Sequence, residues 1–501
     1  VWLRCITPQL EAVGARREPV GFCVVLQKAR TRRWLEVCSA STTAPPLDGR
    51  TRVLIMSEND NWIRCISNHA LPLRGESTDL DPLLELAADS DIVLIGEATH
   101  GTHEFYALRA QLTRRLLSEH GFAAVAAESD WPDSYRVNRF VRGSSADKTA
   151  HQALTDFRRF PSWMWRNRDV LEFVDWLREY NQRRLKARQE TVGFYGLDLY
   201  SLHGSVAAVL EYLDGVDPEL AQRARERYGC FEQFDREPQA YGYAARLGLS
   251  PACEDAVVSQ LRELQSRRTA IIQRDGLSAE DEFFHAEQNA RVIKNAEEYY
   301  RAMFGNQVQS WNLRDTHMAD TLDALLEHLR LRIDRPRVVV WAHNSHVGDA
   351  RATELMREGE LNLGQLARER YPNRTCLIGF STYAGSVAAA SRWGGNVERK
   401  LMRPALPASH EALFHRVNAP NFILQTRDLQ GSEALLEPRL QRAIGVIYRP
   451  ETERRSHYYR VELTRQFDAM IHVDRTTAVE PLERSSTWVR DEAPETFPSG
   501  L

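Results

Sequence analysis

The stretch Asp91-Ile92-Val93-Leu94-Ile95-Gly96-Glu97-Ala98-Thr99-His100-Gly101-Thr102-His103-Glu104 decides the fold. Ile92–Ile95 is a short, β-rich apolar run with no polar alternation. Such a run reads as a strand buried on both faces, as in a parallel sheet. It ends in glycine and then in ionisable and hydroxyl residues. Phe105, Leu108, Leu112 and Leu116 follow at spacings of three and four, which predicts a helix that Gly121 ends. Strand, polar loop and helix together make the opening of a βαβ unit.

The same pattern recurs on both sides. Phe122–Ala127, Thr191–Leu197, Arg337–Ala342 and Cys376–Thr382 are further strand-like runs, with weaker ones at Phe422–Gln425, Ala443–Tyr448 and Ala469–Val473. Pro132 opens a second helix, with Asp130 available as its cap and Gly143 past its end. Between Leu197 and Arg337 the strand pattern stops. Segments 251–275, 279–303 and 312–332 are long, charged and amphipathic. The expected fold is therefore α/β: a mostly parallel sheet flanked by helices, with a large all-helical insertion over the active-site cleft. Its expected parts are a first core segment (56–200), the insertion as substrate cover (201–335), a second core segment (336–480) and a polar tail (481–501).

Residues 1–55 look different. They hold nine Lys or Arg against four Asp or Glu, and three of the seven cysteines. This segment reads as a basic extension or as sequence upstream of a start at Met56. The whole chain of 501 residues carries 65 Lys+Arg and 69 Asp+Glu. That balance lacks the basic excess of a nucleic-acid binder. No run approaches the roughly 18 apolar residues of a membrane-spanning helix. The cysteines Cys5, Cys23, Cys38, Cys65, Cys230, Cys253 and Cys376 form no C-x-x-C pair. They read as free structural thiols of a reducing, cytoplasmic setting.

The dinucleotide, P-loop and G-x-S-x-G fingerprints are all missing. Gly379-Phe380-Ser381-Thr382-Tyr383 lacks the second glycine of a nucleophile elbow, and His410-Glu411-Ala412-Leu413-Phe414-His415 has the wrong spacing for a zinc helix. What is present is a set of ionisable groups at strand ends: Glu97 and His100, then Glu128, then Asp198, then His343 and His346. Ligands of open α/β sheets bind at that edge. An imidazole suits the role of general base near neutral pH, and a neighbouring carboxylate fixes its tautomer. A second imidazole or an arginine can stabilise an oxyanion. This is equipment for activating water on an ester without a covalent nucleophile. No cofactor is expected, although His100, His103, His343, His346, Glu97 and Glu128 offer enough donors for the alternative of a metal-dependent hydrolase acting on another ester or a polysaccharide-related substrate. A small-molecule binding protein without catalysis is the non-enzymatic alternative. The aromatic and basic run Phe157–Arg166 is expected to serve the core of a helical subdomain.

Gly96-Glu97-Ala98-Thr99-His100-Gly101, Glu104-Phe105 and Arg109 resemble the N-terminal signature of the erythromycin esterase family. So do Glu128, Tyr135-Arg136-Val137-Asn138, Gly196-Leu197-Asp198, Arg314-Asp315 with Met318-Ala319, and above all Trp341-Ala342-His343-Asn344-Ser345-His346. The resemblance spans about Pro72 to Val473. It implies hydrolytic opening of a macrolide lactone, that is, antibiotic inactivation, with no obligatory metal. It also implies His100 as the base that activates water, with Glu97, Glu128, Arg109 and His343 as its catalytic companions. His346, Asp198 and His103 are the expected substrate-side residues. The implied partner is a small ester or lactone.

Overall fold

The computed structural model describes residues 60–234, 238–275, 277–429, 437–484 and 488. The basic segment 1–55 lies outside these residues, as does almost all of the chain from 485. In chain order the strands are β1 (Ala70–Pro72), β2 (Ile92–Ile95), β3 (Ala124–Asp130), β4 (Gly193–Asp198), β5 (Val338–Trp341), β6 (Thr375–Ser381), β7 (Ala384–Ala389), β8 (Glu398–Met402), β9 (Asn421–Gln425), β10 (Arg439–Arg442), β11 (Tyr458–Val461), β12 (Ala469–Val473) and β13 (Arg475–Thr476).

Eight of them form one sheet in the order β1-β9-β12-β6-β2-β5-β3-β4. From β12 to β4 every neighbouring pair is parallel, and β9 and β1 add an antiparallel edge. The α/β fold class with a mostly parallel sheet is therefore as the sequence predicts. Each central strand is buried along its whole length, which explains the unbroken apolar runs. Helices cover both faces. Leu112 and Leu116 of the helix His103–Glu119 pack with one core cluster, and Met318, Leu322 and Leu325 of the helix Gln307–Arg330 pack with the other.

Between β4 and β5 the described residues contain helices and no strand. This stretch has a hydrophobic cluster of its own, including Leu213, Leu220, Tyr241 and Ile293. The two amphipathic segments at its end are one helix each, Leu277–Met303 and Gln307–Arg330, while 251–275 is broken into Glu254–Ser266 and Arg268–Asp275.

Three expectations need correction. The run Ala443–Tyr448 is not a strand of the sheet. Ile444 instead gives its N–H to the Ala98 carbonyl and accepts from the His100 N–H, so its backbone is committed to the loop after β2. Asp130 makes no side-chain cap to the helix Trp131–Arg142, because its carboxylate accepts both arms of the Arg159 guanidinium. The expectation of free thiols fails at one pair: Cys230 and Cys253 form a disulfide within the helical stretch, their Cα atoms 6.1 Å apart. Gly143 does end its helix in the left-handed conformation, φ 87°.

Gly101 shows how tightly the loop after β2 is held. Its carbonyl accepts from the N–H groups of Ala388 and Val479. A Cβ at this position would lie 1.9 Å from the Ala388 carbonyl oxygen. That atom belongs to β7 and cannot rotate away. Gly101→Ala is expected to cost about 1–3 kcal/mol through overpacking, read as a lower midpoint in chemical denaturation.

Candidate active site

β2 and β5 lie side by side at the centre of the sheet, and β3 and β4 follow on one side. The chain leaves β2 for β3 and β4, returns to insert β5 beside β2, then crosses to β6. Such reversals open a crevice beyond the strand ends. The loops after β2 and β5 are knitted together there. Asn344 N–H donates to the Glu97 carbonyl. The Asn344 side chain donates to the Phe380 carbonyl and accepts from the Phe380 N–H. A Cβ on Gly96 would sit 2.1 Å from Asn344 Oδ1, so glycine is what permits this approach.

His100 is completely buried, and its Nδ1 lies 2.7 Å from Glu97 Oε1. A carboxylate at that distance accepts from Nδ1–H and leaves Nε2 as the acceptor. Arg109 reaches Glu97 Oε2 at 3.1 Å, and its guanidinium lies over the rings of Tyr106 and Trp341. Tyr106 donates to the His100 carbonyl. Glu97 is thus braced by a buried cation on one oxygen while it orients His100 with the other.

His343 stands opposite, its ring centroid 4.8 Å from that of His100. Its Nδ1 accepts from the Ser345 N–H at 3.2 Å and faces the Ser345 hydroxyl at 2.8 Å. A ring nitrogen that accepts from a backbone amide carries no proton, so the neutral ring has its proton on Nε2. Burial, followed by the neighbouring His100, pushes the His343 imidazole well below its ordinary pKa. The two facing imidazoles therefore have opposite character: His100 presents an acceptor and His343 a donor.

Glu128 joins this pair to a second buried set. One of its oxygens accepts from the His343 N–H at 2.8 Å, and the other from Arg314 at 2.6 Å. Burial works against its charge, but His346 and Arg314 outweigh it and hold the carboxyl well below the usual range. Arg314 also forks onto Asp198, at 3.0 and 2.7 Å. His346 Nδ1 lies 2.9 Å from both oxygens of Asp315, and Trp311 stacks on its ring at 4.6 Å. Arg314 Nη1 lies 2.7 Å from His346 Nε2. An arginine can only donate, so Nε2 is an acceptor and the ring's proton sits on Nδ1, toward Asp315. Asp315 and Glu128 favour a charge on this ring while burial and Arg314 oppose it, and burial raises the Asp315 carboxyl against the pull of His346.

Among the candidates, Glu97, His100, Arg109, Glu128, Asp198, His343 and His346 converge on this edge. His103 does not join them. It opens the helix after the loop, is half exposed, and pairs with Asp169 on the outer side. Arg314, Asp315 and Trp311 were not singled out as site residues from the sequence. The Arg-Asp pair was visible only as part of the resemblance, since a mid-helix Arg-Asp has no local signature of burial. Among the described residues no three His, Cys, Asp or Glu side chains are arranged to hold a metal ion.

A cavity of about 500 Å³ adjoins the cluster. Its walls include Tyr200, Tyr299, Tyr300, Trp311, Trp393 and Arg314. A smaller space lined by Glu128, Asp198 and Arg314 shares Asp130, Asp133, Arg159, Tyr200 and Arg314 with it. The run Phe157–Arg166 divides. Arg159 and Phe160 face the cavity, while Phe157, Trp163, Met164 and Trp165 are core.

A family model described as erythromycin esterase matches residues 117–476. The chain is 22% identical over 420 residues to "Erythromycin esterase type II" of Escherichia coli, covering 80% of this chain and 93% of that protein. It is 23% identical over 408 residues to "Putative hydrolase YbfO" of Bacillus subtilis (strain 168), covering 76% and 86%. A solved structure titled as a succinoglycan biosynthesis protein superposes with TM-score 0.69 at 21% identity, covering 85% of this chain and 99% of that one. A mutant of the erythromycin esterase EreC in its open conformation gives TM-score 0.60 at 18% identity, covering 82% and 96%.

One outcome follows from the buried charges. Arg314→Ala strands Glu128 and Asp198 without their cation, and is expected to destabilise the fold by about 3–5 kcal/mol, measured by denaturant unfolding.

Proposed function

This chain belongs to the erythromycin esterase family, and from that membership we propose that it hydrolyses a carboxylic ester or lactone with His100 as general base. The family supports hydrolase function. The observation that carries the finer reading is the pairing of two buried imidazoles in opposite tautomeric roles, His100 held by Glu97 and His343 held by Ser345.

In this mechanism the substrate occupies the cavity and its carbonyl is turned toward Glu128 and the two rings. His100 has no exposed surface in this conformation, so productive binding requires the Arg314-Glu128-Asp198 set to yield toward the cavity. A water between the rings gives a proton to His100 Nε2 as its oxygen adds to the carbonyl carbon. The imidazolium that forms is stabilised by Glu97, which Arg109 holds in place. The oxyanion accepts from His343 Nε2–H, a neutral donor that costs little reorganisation in a buried site. Collapse breaks the acyl–oxygen bond, and His100 returns the proton to the departing alkoxide. One water is consumed, and an acid and an alcohol result. With a lactone both groups stay on one molecule, which opens and gains the mass of one water.

Macrolide lactones are the first substrates to try, since relatives of this chain are named as erythromycin esterases. His100→Ala is expected to lower kcat by about 10²–10⁴-fold with the circular dichroism spectrum unchanged. Turnover by that variant at the parent rate would exclude His100 as base. Mass spectrometry of a 14-membered macrolide incubated with the protein reads the ring opening directly. Full activity after exhaustive chelation is expected, and loss of activity restored by added metal would favour a metal-dependent mechanism on the same residues.

A further inference from the structure

The walls of the large cavity are largely aromatic, with Tyr299, Tyr300, Trp311 and Trp393 among them. They also carry two acids, Asp130 and Asp133, and two arginines. Arg159 and Arg314 both line it, and both are already engaged. Arg159 forks onto Asp130 and lies over the Tyr200 ring. Arg314 is held by Asp198 and Glu128. Asp133 is the remaining acid in the lining. It sits in the first turn of the helix Trp131–Arg142, one turn after Asp130. It is half-buried, and no arginine or lysine forms an ion pair with it among the described residues.

Its surroundings are mixed in sign. On its own helix Arg136 is nearby, but that guanidinium is bound to Asp147 and Asp156. Asp130 at the end of β3 and Asp156 from the following loop repel a charge on Asp133, while Arg159 favours it. His203, from the helix Leu202–Val216, lines the same cavity. Burial first, and then the two aspartates, raise the Asp133 carboxyl to about 8. A cavity that combines aromatic side chains with an acid that has no ion-pair partner has the chemistry of an ammonium site, because an entering cation favours the ionised form of that acid. Ring faces attract a cation electrostatically, alkyl groups on nitrogen are weakly hydrated, and the carboxylate supplies the counter-charge.

We propose that this cavity takes a protonated or quaternary alkylamine, and that Asp133 is the residue that selects it. The inference rests on the reading of the cavity as the substrate site, and it names the group a preferred ester carries away from its reacting carbonyl. The amine brings the positive charge that Asp133 lacks and sheds little hydration among the rings. A volume of about 500 Å³ lies within the usual range for small-molecule sites of roughly 300–1,000 Å³.

The test uses the full chain and the probe pair choline and its uncharged isostere, in which a carbon replaces the nitrogen. Calorimetric titration is expected to show choline binding at least about tenfold more tightly than the isostere. Asp133→Asn is expected to bring that ratio toward one, and Asp133→Glu to retain most of it. Thermal unfolding of both variants reports whether they fold. Equal binding of the two probes by the parent protein overturns the proposal. So does a preference that Asp133→Asn leaves unchanged in a folded protein. The butyrate esters of the two probes separate this from the hydrolase reading: hydrolysis of both at equal kcat/KM sinks amine selection and keeps the esterase, whereas ammonium binding without turnover of either ester keeps the amine site and sinks the esterase.

Discussion

One buried guanidinium ties the two parts of the molecule together. Arg314 projects from a helix of the long stretch between β4 and β5, and it grips Asp198 at the end of β4 and Glu128 on β3. Its third neighbour is His346, in the turn after β5. Burying a cation is expensive, and the cost is recovered only because two carboxylates share it in good geometry. The carboxylates in turn need the cation. The sheet edge and the helices over it are therefore electrostatically interdependent. The cavity exists where the aromatic residues of those helices cannot close down onto the charged edge.

The same economy explains the order within the cluster. No ionisable group at the centre acts alone. Glu97 is braced by Arg109, His100 by Glu97, His343 by Ser345, and His346 by Asp315 and Trp311. Each brace settles a proton: on Nδ1 of His100, on Nε2 of His343, and on Nδ1 of His346. A site assembled this way holds its protonation states before any ligand arrives, which is the condition for acid–base chemistry in a dry environment. The rigidity is backed by backbone. The loop after β2 is sewn to residues 344, 388, 444 and 479, which fixes the position of His100.

Much of this was legible in the residues. The buried strands announced themselves because parallel strands covered on both faces must be apolar throughout, and the groups following them stood out by contrast. Glu97, His100, Glu128 and His343 could be listed together for that reason. The resemblance added Arg109, which sits inside an ordinary amphipathic helix and looks like a surface residue until its burial is known. Trp311 remained hidden, and Arg314 and Asp315 showed only through the resemblance, for the same reason. Their partners are more than a hundred residues away in Glu128 and Asp198, or across a helix–loop boundary in His346, and no local spacing encodes such pairings. The error at Ala443–Tyr448 has a related cause. A β-rich run satisfies its backbone wherever partners are offered, and here the loop carrying His100 offered them before the sheet did. His103 shows the converse: three residues beyond His100 in sequence, it lies on the outer turn of the next helix, facing Asp169.

The amino-acid sequence by itself determined the class of fold, the strand ends at which chemistry collects, and the residue types available there. Those follow from local physics: which runs must be buried, where helices begin and end, and which side chains can exchange a proton near neutral pH. Tertiary structure alone decided which nitrogen of each imidazole carries the proton, which arginines are spent on carboxylates, and which carboxylate is left facing an aromatic cavity. Those are properties of distance between remote residues. Electrostatic and hydrogen-bond energies change steeply over an ångström, and only the folded chain sets that distance.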